Sequence, residues 1–125
     1  MHEIGRLALL TAIAALPTGG GISAQAQDVR HGENVFRACA ACHATDHTNR
    51  SGPGLQGIFG RTAGTASGFR YSRAMKESGI VWDDRSLDAY LAAPQKAVPG
   101  NRMPFAGLKN EQDRADVIHY LKTLK

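Results

Sequence analysis

The sequence predicts an all-α fold in which short helices are separated by long irregular loops. Several segments place apolar residues at helical spacing directly after a polar residue of the kind that caps helices. No segment alternates convincingly between apolar and polar residues, as a half-buried strand does. Residues 51–69 are too rich in glycine to form a helix or a central strand. These three observations favour helices joined by loops over any fold built on a sheet.

The start of the chain resembles a secretory signal peptide. Arg6 precedes an apolar stretch of roughly ten residues that ends at Leu16, and the tripeptide AQA, with small residues at both ends, follows. The apolar stretch is too short to cross a membrane, which takes about 20 residues. We therefore expect cleavage after Ala26, export to the periplasm and one domain over residues 27–125.

The net charge restricts the class of partner. The chain has 15 Lys and Arg against 11 Asp and Glu, and its net charge is +4. Residues 1–26 carry one Arg and one Glu, so their removal leaves the charge unchanged. The basic residues are scattered singly, without the runs or interleaved aromatics of a nucleic-acid surface. A mildly basic chain fits acidic protein partners or an acidic membrane surface. We expect a monomer with no stable membrane insertion and no nucleic-acid partner.

The first predicted helix covers residues 28–41. Asp28 is a suitable N-cap, and Val29, Phe36 and Ala40 share an apolar stripe. This helix runs directly into the sequence ACAACHA.

Three further helices are predicted at 73–78, 82–94 and 110–125. Gly79 closes the first and Pro94 ends the second, and residues 95–109 are expected to form a loop. The expected N-caps are Asp83 or Asp84 for the second of these helices and Asn110 for the third. The residues expected to face inward are Leu87, Tyr90 and Leu91, then Val117, Tyr120, Leu121 and Leu124.

Cys39, Cys42 and His43 form a C-x-x-C-H motif that contains both cysteines of the chain. A structural zinc site would need a fourth ligand from His31, His47 or His119, which are the remaining histidines after residue 26. A redox dithiol is expected at a helix N-terminus beside strands, whereas this pair ends a predicted helix. A disulfide in so short a loop stabilises little and leaves the histidine unexplained.

Attachment of a c-type haem accounts for all three residues of the motif. The two thiols bond to the haem and His43 can reach its iron. A buried porphyrin also explains the long loops, because glycine-rich segments can wrap closely around an apolar disc. For the sixth iron position, Met103 lies in a loop that Pro104 stiffens, whereas Met75 and the remaining histidines suit core and surface roles. An iron with an open sixth position remains an alternative.

Six motifs, in order along residues 28–125, resemble those of the class I cytochromes c, in particular the short soluble bacterial members of the mitochondrial type. They are GENVFRACAACH, GPGLQGIFGR, GFRYS, GIVW, LDAYLAAPQKAVPGNRMPFAGL and DVIHYLK. The resemblance implies the class I cytochrome c fold around one covalent haem c, with the first and last helices crossing. It implies an electron carrier, not an enzyme, whose partners are redox proteins such as an oxidase, reductase or dehydrogenase.

The resemblance also implies a role for individual residues. His43 and Met103 would be the two axial ligands of the haem iron, and Cys39 and Cys42 the covalent attachment points. The carbonyl of Pro53 would accept a hydrogen bond from the His43 ring. The remaining haem environment would be formed by Arg61, Tyr71 and Trp82 near the propionates, and by Tyr90 and Asn101 near the methionine or a propionate. Gly32 and Phe36 would cross the last helix at Val117 and Tyr120.

Three positions depart from the family pattern. Met75 stands where the family often has an asparagine, and it is a rival candidate for the iron ligand. Ala38 and Gln95 replace two lysines of the basic ring that docks partners. The candidates left for docking are Arg37, Lys76, Lys96 and Arg102.

Overall fold

The structure, a computed structural model, describes residues 28–125. The expected signal peptide and its cleavage site therefore lie outside the described residues. The described part contains the helices α1 (Val29–Phe36), α2 (Arg73–Glu77), α3 (Asp84–Ala92), α4 (Pro94–Ala97) and α5 (Glu111–Leu121). Its only β-pairing is one isolated antiparallel bridge between Thr62 and Val81. The predicted all-α fold is confirmed.

Helix α1 begins where the sequence predicts but ends earlier than predicted. The carboxylate of Asp28 caps it by accepting two backbone N–H groups, at 2.9 and 3.2 Å. The helix ends at Phe36, so the predicted extension to residue 41 is wrong. The backbone N–H groups of residues 37–39 bond to carbonyls three residues earlier, which tightens the chain into turns. The C-x-x-C-H motif therefore lies on tight turns that follow α1.

Helix α4 was not predicted, because Pro94 was expected only to end the preceding helix. Pro94 does follow α3, but it is also the first residue of α4. Proline suits this position because the first turn of a helix does not use its N–H groups. The loop predicted over 95–109 therefore begins only after Ala97. The caps of α2 and α3 are Ser72 and Asp83.

Helix α5 has the predicted N-cap but ends sooner than predicted. The Asn110 side chain accepts the N–H of Asp113 at 2.9 Å. The helix ends at Leu121, so Lys122 and Lys125 lie beyond its last turn. Its buried residues are Asp116, Val117, Ile118 and Leu121, whereas Tyr120 and Leu124 are only partly buried.

One expectation for α5 is wrong. His119 was expected to be exposed, but it is half-buried. Its Nδ1 atom is buried and has no hydrogen-bond partner within residues 28–125. His31 and His47 are exposed, as expected.

Helices α1 and α5 cross in close contact. A Cβ atom on Gly32 would lie 2.6 Å from the carbonyl carbon of Asp116 and 2.9 Å from Cβ of Tyr120, so only glycine fits there. The rings of Phe36 and Tyr120 pack with centroids 5.3 Å apart. The backbone N–H of Asp28 donates to Oδ1 of Asp116 at 2.9 Å, so the start of α1 is tied to the buried face of α5. The predicted crossing is confirmed.

Candidate functional site

The described structure contains a cavity of about 500 Å³, within the size range of sites that bury a small molecule or cofactor. Every residue that the sequence assigned to the iron, the covalent attachment or the haem environment lines it. Its wall is largely apolar and aromatic. The apolar residues that sequence reasoning had not assigned to it include Leu55, Ile58, Phe69, Leu87, Leu91 and Phe105.

His43 is held in one tautomer. Its Nδ1 lies 2.8 Å from the carbonyl oxygen of Pro53. Because a carbonyl oxygen can only accept, Nδ1 must carry the proton, and Nε2 keeps its lone pair. Burial lowers the pKa of His43, and the nearby Arg50 acts in the same direction, against the opposite effect of the Pro53 hydrogen bond. A neutral imidazole with a free Nε2 is what an iron ligand requires.

Gly52 makes room for the His43 ring. A Cβ atom on Gly52 would lie 2.7 Å from Nδ1 and 2.8 Å from Nε2 of His43, which is too close for any side chain. The backbone N–H of Gly52 also donates to the carbonyl of Cys42 at 2.9 Å. Sequence reasoning did not single out this glycine among the many glycines of the loop.

Arg50 braces the C-x-x-C-H segment from outside the cavity. Its Nη2 donates to the carbonyl oxygens of Ala40 and His43, both at 2.8 Å. These carbonyls lack a helical N–H donor because the chain has left the helix, and they accept charge-assisted hydrogen bonds from the guanidinium instead. Sequence reasoning missed Arg50, since a single arginine in a polar loop forms no pattern.

The two cysteines do not form a disulfide, although both line the cavity. Burial raises the pKa of the Cys39 thiol, and Cys42 acts in the same direction, whereas a catalytic dithiol needs a lowered pKa. Within residues 28–125, no three His, Cys, Asp or Glu side chains form a group that could hold a metal ion. The geometry therefore favours covalent attachment of a cofactor over a zinc site or a redox dithiol.

Met103 lines the cavity together with His43. Its backbone N–H donates to Oδ1 of Asn101 at 2.9 Å. Asn101 is itself fixed, because its Nδ2 donates to the carbonyls of Pro94 and Val98, both at 2.9 Å. The loop that carries Met103 is therefore built around a buried asparagine.

Tyr90 lies beside the methionine. Its hydroxyl oxygen is 3.8 Å from Sδ of Met103 and 3.4 Å from Oδ1 of Asn101, and its single proton reaches only one of them at a time. Burial raises the pKa of Tyr90 to about 12. The hydroxyl therefore stays protonated at neutral pH and can act as a donor to the thioether.

Three arginines, Arg61, Arg70 and Arg102, also line the cavity. Arg61 donates to the carbonyls of Gly54 and Gln56, at 3.2 and 3.3 Å. The guanidinium groups are suited to pair with carboxylates such as those of haem. Arg70 was not predicted as part of the site.

The other predicted residues of this wall differ in burial. Trp82 is buried, with its ring 5.0 Å from that of Tyr90. Tyr71 is half-buried, and its hydroxyl oxygen accepts the N–H of Ala66 at 3.0 Å. Met75 is buried and lines the same cavity, so the wall carries a second thioether.

The candidate docking residues Arg37, Lys76, Lys96 and Arg102 are all exposed. Only Arg102 lines the cavity, whereas Arg37 and Lys76 adjoin the wall residues Ala38 and Met75 in sequence. None of the four forms an ion pair within the described range.

Comparison with known proteins agrees with this geometry. The family model described as cytochrome c matches residues 29–125. The chain belongs to the cytochrome c family. It is 48% identical over 102 residues to the cytochrome c of Chlamydomonas reinhardtii, which covers 79% of this chain and 91% of that protein. It is 52% identical over 91 residues to cytochrome c2 iso-2 of Magnetospirillum molischianum, covering 72% of this chain and 94% of that protein.

A solved structure also resembles this one. Cytochrome cH from Methylobacterium extorquens superposes with a TM-score of 0.75 at 43% sequence identity, covering 77% of this chain and 98% of the other. The protein is thus a class I c-type cytochrome with the corresponding helical fold. The predicted fold and family are confirmed.

Family membership also gives the cofactor and the general role. Cytochromes c bind one covalent haem c, and Cys39 and Cys42 fit its attachment motif. The relatives are electron carriers rather than enzymes, as the sequence predicted. None of the helices between residues 28 and 125 has the length and apolarity that a membrane crossing requires.

Proposed function

We propose that this cytochrome c carries single electrons between redox proteins of the periplasm, with His43 and Met103 as the two axial ligands of its haem iron. Cys39 and Cys42 would supply the thioether links. One observation carries the proposal: His43 and Met103 line the same cavity as both cysteines. Each of the two proposed ligands also has its own hydrogen-bonded support.

When bound, haem c supplies an iron that alternates between Fe(II) and Fe(III) and so stores one electron. His43 would bind the iron through Nε2, because its Nδ1 is committed to the Pro53 carbonyl. Met103 would supply a neutral sulfur, which favours the less charged ferrous form and a high reduction potential. Because His43 and Met103 would both bind the iron, no substrate would need to bind it.

The remaining wall residues would pair with the charged groups of the haem and exclude water. Arg61 and Arg70 would pair with the haem propionates, because both residues line the cavity and a guanidinium group suits a carboxylate. Tyr71 has a hydroxyl proton free to donate, since its oxygen accepts from Ala66. Trp82 and the apolar wall would exclude water, which strengthens the electrostatic interactions inside.

Docking would depend on charge complementarity. The net charge of +4 and the exposed cations Arg37, Lys76, Lys96 and Arg102 support short-lived encounters with acidic patches on partner proteins. Such contacts chiefly raise the association rate and weaken as salt is added. Because Ala38 and Gln95 carry no charge, the basic surface is thinner than the family pattern implies. We further propose that the carrier is monomeric.

Export is part of the proposal. Residues 1–26 have the order of features found in a signal peptide, and covalent haem attachment to a secreted chain fits that route. N-terminal sequencing of the haem-containing protein from the periplasm should begin at Gln27. A haem-containing protein that retains residues 1–26 would contradict this part.

The ligand assignment is tested by visible spectra and redox titration of the exported protein and of Met103→Ala, with Met75→Leu as the matched control. We expect a low-spin ferric spectrum with a thioether-to-iron band in the wild type and in Met75→Leu. Met103→Ala should lose the band and bind carbon monoxide rapidly when reduced. If Met75→Leu loses the band instead, the wrong methionine has been assigned. Rapid binding of carbon monoxide to the wild type would favour a haem enzyme or gas sensor.

A further inference from the structure

Gln95 replaces a lysine of the family's docking ring, and the structure gives its side chain a different role. Its Nε2 donates to the backbone carbonyl of Asn101 at 2.8 Å, and its Oε1 accepts the backbone N–H of Gly100 at 3.3 Å. Both halves of the amide group therefore bind the loop that leads to Met103.

The contacts between this loop and α4 run in both directions. The side chain of Asn101 donates back to the carbonyls of Pro94, the first residue of α4, and of Val98, which follows its last residue. The same side chain accepts the backbone N–H of Met103. Gln95 thus belongs to a set of side-chain hydrogen bonds that ends at the backbone of the proposed iron ligand.

A lysine could not make the same pair of bonds. Its ammonium group has three donors and no acceptor, so it could bond the Asn101 carbonyl but not the Gly100 N–H. Within residues 28–125, Oε1 of Gln95 is the sole acceptor for that N–H. Gly100 has a φ of +88°, so the backbone turns sharply at this point. A lysine here would leave the turn to be restrained by other residues.

We propose that Gln95 is a positioning residue that holds the loop 100–103 and thereby keeps Met103 on the iron. The inference rests on the proposed Met103 ligation. An added ligand can bind the iron only in the fraction of molecules whose methionine has left, so its apparent affinity reports that fraction. Loss of the Gln95 bonds should raise the fraction. A lysine at this position could contact a partner protein. Gln95 instead restrains the loop that carries Met103, the proposed iron ligand.

The test compares Gln95→Met and Gln95→Lys with the control Gln56→Met in the haem-containing protein. Gln56 also donates its amide to a backbone carbonyl, that of Lys125 at 2.9 Å, but does not line the cavity. Two measurements are made on each variant: hydrogen exchange of the Gly100 amide, and the affinity of the ferric protein for imidazole.

For Gln95→Met we expect Gly100 exchange about tenfold faster and imidazole binding about tenfold tighter, which is the scale of one or two lost hydrogen bonds. Gln95→Lys should match that acceleration of exchange but show a smaller gain in imidazole affinity, because it can still donate to Asn101. Gln56→Met should change neither. The denaturation midpoints of the two Met variants should agree, which separates loop release from general loss of stability.

Unchanged Gly100 exchange in Gln95→Met would overturn the inference, and so would faster exchange with unchanged imidazole affinity. The wild-type spectrum tests the ligand proposal separately. If the wild type shows no thioether-to-iron band, Met103 is not the ligand and the inference about its restraint fails with it. Faster hydrogen exchange of the Gly100 amide in Gln95→Met would then still show that Gln95 restrains the loop 100–103.

Discussion

The two sides of the cavity are built differently. On the His43 side, the support is local and involves backbone atoms: the Pro53 carbonyl, the bare backbone of Gly52, and two carbonyls that Arg50 bonds. On the Met103 side, the support comes from side chains of Asn101, Gln95 and Tyr90 on separate elements. The contacts around His43 fix the position of its ring largely through backbone atoms. Each contact that supports Met103 comes from a side chain, so a single substitution can remove it. We expect the His43 side to determine whether the haem is held and the Met103 side to tune its properties.

The strongest test of this difference is Gly52→Ala. The new Cβ would overlap the His43 ring, and we expect a loss of about 3 kcal/mol in the free energy of unfolding, the upper range for overpacking. Haem content should fall as well. Urea denaturation and haem quantification of the exported protein measure both. Gly60→Ala is the control, since its Cβ would meet open space and only a positive φ of 88° opposes it; equal losses in the two variants would contradict the steric account.

Arg50→Met should have the next largest effect. It removes two hydrogen bonds to backbone carbonyls, and we expect a loss of about 2 kcal/mol in unfolding free energy, because bonds to charged groups contribute more than neutral ones. Loss of a positive charge beside the His43 backbone should also lower the reduction potential. Denaturation and potentiometric titration measure these effects.

Arg85→Met provides the comparison for Arg50, because Arg85 is exposed and forms no ion pair within residues 28–125. It also loses one positive charge. If Arg50→Met and Arg85→Met lower the free energy of unfolding and the reduction potential by equal amounts, the hydrogen bonds of Arg50 to the C-x-x-C-H segment have no special role.

On the Met103 side, Tyr90→Phe should change the potential and leave the haem bound. The Tyr90 hydroxyl lies 3.8 Å from Sδ of Met103. By donating to that sulfur it would withdraw electron density from the proposed ligand and so would favour Fe(II). We expect the potential to fall by up to about 59 mV, equivalent to a tenfold change in the redox equilibrium. Tyr120→Phe, which lies outside the cavity wall, should leave it unchanged. A loss of haem in Tyr90→Phe would show that the two sides do not differ as described.

The smallest effect is expected away from both sides, at the ion pair of His31 and Asp113. These side chains meet at 2.8 Å across the contact of α1 and α5. The hydrogen bond to Asp113 raises the pKa of His31, with weaker contributions from the charges of Asp116 and Asp28. Since the folded pKa lies above the unfolded one, the stabilisation is fully present below pH about 6.5 and is lost as the pH rises through the folded value.

His31→Gln should therefore lower the denaturation midpoint slightly at acidic pH and not at all at pH well above the folded pKa. The reduction potential should stay unchanged at every pH. Asp113→Asn should remove the same pH dependence, and a midpoint gap that persists at alkaline pH would contradict the role of the charged pair.

The parts of the fold that sequence predicted well have local signals. Asp28 and Asn110 cap helices because a short polar side chain precedes an apolar stripe. The C-x-x-C-H motif favoured a haem over a zinc site, a redox dithiol or a disulfide, because attachment of a c-type haem accounts for all three of its residues. The wall residues around it, from Pro53 to Asn101, followed only from the resemblance to a family.

The parts that sequence could not predict depend on tertiary contacts. Nothing in residues 37–41 marks the change to tighter turns that ends α1. Gly52 differs from neighbouring glycines only because the His43 ring lies against it. Gln95 was noted as a missing charge, and its bonds to Gly100 and Asn101 become visible only once the loop is folded back onto α4.

In the proposed function, one cavity presents His43 and Met103 to the same iron. X-ray absorption at the iron edge tests it most directly, in the ferric exported protein and in the variants Met103→Leu and Met75→Leu. We predict one sulfur atom bonded to the iron in the wild type, lost in Met103→Leu and kept in Met75→Leu. The absence of iron–sulfur bonding in the wild type, or its persistence in Met103→Leu, would contradict the claim.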